Sequence, residues 1–140
     1  MYYPYFRGKT YELICIRENA DLMASAKFVP IIEPVRESLG GLRRALDAVE
    51  EAGGQAVLVM NPRYGDWSDD SSEIRELAME RAKSSSVLPG ILLDERTTVD
   101  DAIQLGGLSN GTSVAIVHAG YSDARRLADE LRPLSSQITH

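Results

Sequence analysis

Five short apolar runs each end on a polar side chain able to do chemistry, and this register limits the chain to few folds. Leu13-Ile14-Cys15-Ile16 stops at Arg17-Glu18, and Val29-Pro30-Ile31-Ile32 stops at Glu33. Ala56-Val57-Leu58-Val59-Met60 stops at Asn61, Gly90-Ile91-Leu92-Leu93 at Asp94-Glu95, and Val114-Ala115-Ile116-Val117 at His118. The runs are rich in Val, Ile and Leu and do not alternate with polar residues. That is the pattern of strands buried on both faces, as in parallel sheets. If all five are parallel strands, their polar ends share one rim, where α/β proteins place their sites.

Segments with helical spacing separate the runs. Leu42, Ala45, Leu46, Val49 and Ala52 line one face of a helix over residues 39–52, which Gly53-Gly54 ends. A second helix is predicted over 71–83, with Asp70 and Glu73 at capping-box spacing. Others are predicted over 20–26, 99–105 and 122–131, the fourth ending at Gly106-Gly107, and Asn110-Gly111 marks a turn before the last strand. The alternation predicts a single α/β domain over 1–140 with a parallel (β/α) repeat. Two architectures fit: the first five units of a TIM-type barrel, or a flavodoxin-like five-stranded sheet. A complete barrel needs roughly 250 residues. The chain closes on Ser135 to His140 directly after a helix, where another strand is expected, which points to a fragment of a longer barrel.

The 140 residues carry a net charge of −6, which lacks the basic footprint of nonspecific nucleic-acid binding. No apolar run approaches the roughly 18 residues of a membrane span, and the N-terminus lacks the basic and apolar regions of a signal peptide. The sequence reads as soluble and cytoplasmic. The one cysteine, Cys15, lies inside an apolar run and is expected to be a small core residue in a reducing compartment. Gly-x-Gly-x-x-Gly, Walker, Gly-x-Ser-x-Gly, Cys-x-x-Cys and His-Glu-x-x-His motifs are absent.

The opening Tyr2-Tyr3-Pro4-Tyr5-Phe6-Arg7-Gly8-Lys9, with Glu12-Leu13 after it, resembles the start of the phage beta protein family. Pro30-Ile31-Ile32-Glu33-Pro34-Val35 and Val59-Met60-Asn61-Pro62 are similar to the family's next two strand ends. The likeness continues more loosely to His118-Ala119-Gly120. Members of that family are more than twice as long, so the resemblance implies an N-terminal portion and favours the partial barrel. It also implies a link to phage competition or defence and a companion protein. It carries no catalytic list.

The residues themselves nominate Glu33, Asp94 and His118 as catalytic. Glu33 is held extended by Pro34 and is suited to general-base or cation-binding work. Of Asp94 and Glu95, which point to opposite sides of a strand, Asp94 is the better placed. His118 suits proton transfer or metal binding near neutral pH. Asn61 and Arg17 are expected to bind substrate, Asn61 by its amide and Arg17 by its charge. A divalent cation is an open cofactor option. Each residue also has a plain structural reading: an ion pair for Glu33, an Asx-type turn for Asn61, a hydrogen-bonded strand end for His118. Arg7 and Lys9 are expected at the opposite end of the sheet. Tyr2, Tyr3, Tyr5 and Phe6 are expected to plug the barrel bottom or cover a core edge. The loop 63–70, with Trp67, reads as a lid, a partner contact or a solvated connection.

Two functions follow. One is a barrel-type hydrolase or lyase acting on a phosphate- or carboxylate-bearing substrate. The other is a noncatalytic interaction module that recognises a companion protein. A half barrel would leave an open sheet edge and a tendency to self-associate. Convergent rim side chains would mark the enzyme, and side chains satisfied one by one would mark the module.

Overall fold

A computed structural model describes residues 1–106 and 113–139; the predicted turn at Asn110-Gly111 and the glycine at 107 lie outside them. The chain runs β1 (Tyr5–Phe6), α1 (Thr10–Glu18), α2 (Ala20–Ser25), β2 (Ile31–Ile32), α3 (Gly40–Glu51) and β3 (Ala56–Val59). It continues through α4 (Ser72–Arg81), a 3-10 turn (Ala82–Ser84), β4 (Val87–Leu93), α5 (Val99–Gly106) and β5 (Val114–His118). It ends with α6 (Ala124–Leu131), a 3-10 segment (Arg132–Gln137) and β6 (Ile138–Thr139). The fold is α/β with a parallel sheet, as the alternation predicts.

The six strands lie in sequential order, β1-β2-β3-β4-β5-β6, each parallel to the next. A flavodoxin-like sheet has the order 2-1-3-4-5 and reverses at a switch point. Among the described residues this sheet has six strands and no reversal, so its order departs from the flavodoxin alternative. β1 and β6 form its two edges. The strand expected after the last helix is β6, paired to β5 through Ile138 and Val114.

The first strand is not the predicted one. Residues 13–16 belong to helix α1, and β1 lies earlier, at Tyr5–Phe6. A run of four apolar residues does not distinguish a strand from a helix by periodicity. Local geometry decides it here. Gly8 turns the chain at φ 57°, and Glu12 accepts from the Lys9 N–H at 3.2 Å, capping the helix start. Leu13 and Ile16, three apart, face the core, while Ile14 and Cys15 do not. Cys15 is exposed, which corrects its expected core position.

Strand side chains alternate between two faces. Ile32, Leu58, Ile91 and Ile116 turn toward the helices, where they meet Leu42, Leu46, Ile74, Leu77, Ala102 and Leu127 in the main core. Ile31, Val57, Leu88, Ala115 and Val117 form a smaller cluster on the other face with Val29. Among the described residues no helical side chain joins that second cluster. At the N-terminus, Tyr2 packs edge-on against Phe28 at 5.1 Å and Phe6 packs against the main core.

Candidate functional site: the carboxyl rim of strands β1 to β4

The parity of each strand decides which rim residues meet. Glu33 is two residues past Ile31, and Asn61 is four past Val57. Asp94 is six past Leu88. All three therefore continue the face that carries the smaller cluster. His118 pairs with Leu93, a residue of the helix-side core, and so belongs to the opposite face. It borders a cavity of about 400 Å³ with Leu127, Leu131 and Ile138. The structure thus sets His118 apart from the other three. Arg17 is also set apart: it is not at a strand end but in the last turn of α1, paired with Glu18 at 2.7 Å. Its assignment to the rim followed from the misread first strand.

Glu33 is 2% exposed. Burying a carboxylate is costly unless its oxygens are hydrogen-bonded. Here Oε2 accepts the Tyr5 hydroxyl at 2.8 Å and Oε1 accepts the Arg63 backbone N–H at 2.7 Å. Burial, then the hydrogen bond to Glu33 and the charge of Glu33, push the Tyr5 phenol well above its ordinary range. Tyr5 is therefore a fixed hydroxyl donor over the working pH range.

Asp94 fastens the turn after β4. Its Oδ1 accepts from the Arg96 N–H at 2.8 Å, the Thr97 N–H at 3.0 Å and the Thr97 hydroxyl at 3.0 Å. Its Oδ2 faces the Arg63 and Arg96 guanidiniums, at 3.6 and 3.7 Å. Burial raises its pKa, but the Arg96 N–H, the two Thr97 bonds and the Arg63 charge outweigh this, leaving it below the usual carboxylate range. Asp94 stays ionised and holds two arginines.

Asn61 stands in for a backbone unit. Its Nδ2 donates to the Leu92 carbonyl at 2.9 Å and its Oδ1 accepts the Leu92 N–H at 2.8 Å, extending the β3–β4 ladder past the last strand residue. This is a cross-strand clasp rather than the Asx turn that the residue type suggested.

Arg63 joins these parts. Its backbone holds Glu33, its side chain approaches Asp94, and its guanidinium lies 5.4 Å from the Tyr64 ring centre. Arg7 lies 5.1 Å from the same ring centre. Arg7 directly follows β1 and is thus on this rim, not at the opposite end as the misread strand implied. Tyr5, Arg7 and Arg63 are the rim residues that sequence reasoning missed. Their one local signal is the Tyr5-Phe6-Arg7-Gly8 run, an apolar pair ending on a charge before a glycine, which is too short to define a strand.

The loop 63–70 is fastened rather than free. The Trp67 indole N–H donates to the Arg36 carbonyl at 2.7 Å, and Asp66 accepts the Glu37 N–H at 2.7 Å. Gly65, at φ 86°, lies so close to Val35 that a Cβ would sit 2.2 Å from its carbonyl oxygen. Beyond the loop, Asp70 accepts the Ser72 N–H at 2.9 Å from one residue before the cap position of α4, which is Ser71, so the predicted Asp70–Glu73 capping box is not formed.

Beside this network a cleft of about 700 Å³ opens between the β3–α4 and β4–α5 connections, lined among others by Arg63, Arg75, Arg96, Ser71 and Gln104. Among the described residues no group of three or more His, Cys, Asp or Glu side chains gathers to hold a metal ion. None of the helices described is long and apolar enough to cross a membrane. Comparison with known proteins found no matching family model, no matching curated protein and no matching solved structure.

Proposed function

We propose that this chain is the N-terminal part of a TIM-type barrel of the phage beta protein kind, and that its rim is the active face of a hydrolase or lyase. The sequential sheet with helices on one face supports the barrel reading. One observation carries the functional reading. Four successive strand ends feed one connected polar network, Tyr5 to Glu33 to Arg63 to Asp94. Glu33 is the general base of this reading, and the Tyr5 hydroxyl holds its carboxylate in place. Arg63 and Arg96 stabilise negative charge on the substrate, and Asp94 positions them. Asp94 thereby moves from an acid–base role to a positioning role. Asn61 supports the rim through β4 rather than through substrate.

Incubation with a metabolite extract, followed by mass spectrometry, tests the reading. A hydrolase or lyase depletes one mass and yields products that differ by added water or by cleavage, and Glu33→Gln abolishes the change. An extract left unaltered by the wild-type chain sinks the catalytic reading.

The interaction module has one specific observation in its favour: Glu33, Asn61 and Asp94 are each satisfied by groups of the chain itself. In that reading the network is a rigid platform for a companion protein, linked to phage competition or defence. Self-association belongs to either reading, because β1 and β6 both present an open edge.

A further inference from the structure

We propose that the cleft between β3–α4 and β4–α5 is a phosphate site, with Arg75 as its primary anchor and Arg63 and Arg96 as its second wall. This deepens the rim reading by naming the substrate class, a small phosphorylated molecule, and rests on that reading for the link to turnover. Three guanidiniums line one cleft of about 700 Å³. Like charges gathered this way repel, and a bound anion relieves that repulsion. Asp94 supplies part of it, to Arg63 and Arg96 alone, and at separations of 3.6 and 3.7 Å rather than in close contact. Arg75 makes no ion pair among the described residues, although Asp70 is within electrostatic reach. Asp101, the other carboxylate of the cleft, keeps its negative charge but accepts from the Thr98 N–H at 3.1 Å and the Thr98 hydroxyl at 2.6 Å rather than from an arginine, so the three guanidiniums outnumber the two carboxylates by one.

The charge of the ligand follows from this arrangement. It must draw Arg63 and Arg96 from a carboxylate that already faces them, and must engage Arg75 across the cleft. A phosphate monoester carries about −1.5 to −2 at neutral pH and offers three strong acceptor oxygens, against one charge and two oxygens for a monocarboxylate. The planar guanidinium fork matches those oxygens. Ser71 also lines the cleft and brings a hydroxyl to it.

Isothermal titration with inorganic phosphate and with phenyl phosphate, at fixed ionic strength and with acetate as comparator, tests the site. Saturable binding of both phosphates, and none of acetate at the same concentration, is expected. Arg75→Gln is expected to weaken binding by about tenfold, the loss of one charge-assisted hydrogen bond. Arg44→Gln, outside the cleft, should bind as the wild type does. Thermal melts of both variants guard against loss of fold. Absence of saturable phosphate binding, equal binding of acetate, or an Arg75→Gln variant that binds like the wild type overturns the proposal. Glu33→Gln separates it from the catalytic reading, because Glu33 does not line the cleft. Phosphate binding retained by Glu33→Gln, with no turnover by the wild type, sinks catalysis and leaves the site. Turnover without phosphate binding sinks the site alone.

Discussion

Tyr5 donates its hydroxyl to the buried Oε2 of Glu33 at 2.8 Å, joining the first strand to the second at the rim. The bond spans 28 residues of sequence and closes the edge of a two-residue strand pair. Tyr5→Phe removes the donor and leaves a buried carboxylate oxygen unpaired. We expect it to cost about 1–3 kcal/mol of stability, read by urea denaturation at neutral pH. An unchanged midpoint would mean that water replaces the phenol.

The same bond sets a response to alkali. The folded-state pKa of Tyr5 is raised above its ordinary value of 10.0, first by burial and then by Glu33. A raised pKa contributes stability that is present below the unfolded value and lost as pH rises through the folded one. The wild type should therefore lose stability progressively above about pH 10, and Tyr5→Phe should show a shallower loss. Denaturation series across that window, compared between the two proteins, provide the check.

Asp94 gives the opposite sign. Its folded pKa is lowered by the Arg96 and Thr97 hydrogen bonds and by Arg63, against the effect of burial. Stability from this group is present above the unfolded carboxylate value and lost as pH falls through the folded one. Asp94→Asn should flatten the acid limb of the stability profile below about pH 4. It should also loosen Arg63 and Arg96, which two-dimensional NMR of the guanidinium Nε–H groups would report as faster solvent exchange.

Asn61→Asp keeps the acceptor for the Leu92 N–H but turns the donor facing the Leu92 carbonyl into a second oxygen. The lost bond and the new repulsion should together cost about 2–3 kcal/mol, more than Asn61→Ala, which loses the bonds without the repulsion. If the two variants are equally stable, the clasp contributes less than its geometry implies.

The rim was legible in the sequence where a strand ended cleanly. Ala56 to Asn61 and Gly90 to Asp94 carry an apolar run, a polar stop and a flanking turn, and both stops fall where the register places them. Relative phase was not legible: His118 ends its run one residue out of phase with Asn61 and Asp94, a difference visible only once Leu93 is known to pair with His118. The first strand was illegible because Tyr5–Phe6 has two residues, too few for any period, while 13–16 has the composition of a strand and the capping of a helix. Arg17 was misplaced with it. The Tyr5–Glu33 and Arg63–Asp94 contacts are long-range products of sheet order, which no local pattern encodes.

Gly65 is where the loop's fastening is most exposed to mutation. Its φ of 86° disfavours any side chain, and the space beside it is filled by the Val35 backbone. Gly65→Ala must push residues 63–70 away from 34–37, breaking the Trp67 bond to the Arg36 carbonyl and the Asp66 bond to the Glu37 N–H. Backbone strain of this kind costs about 1–3 kcal/mol, and the released hydrogen bonds add to it. Trp67 is the chain's one tryptophan, so its fluorescence reads the event directly. The emission should shift to the red and become more accessible to iodide, because the indole leaves the core it packs against. Trp67→Phe, which loses the N–H and part of the packed ring but leaves the backbone unstrained, should cost less than Gly65→Ala. A Gly65→Ala protein with wild-type stability would show that the loop rides on its neighbour without being held by it, and would restore the lid reading that its contacts now oppose.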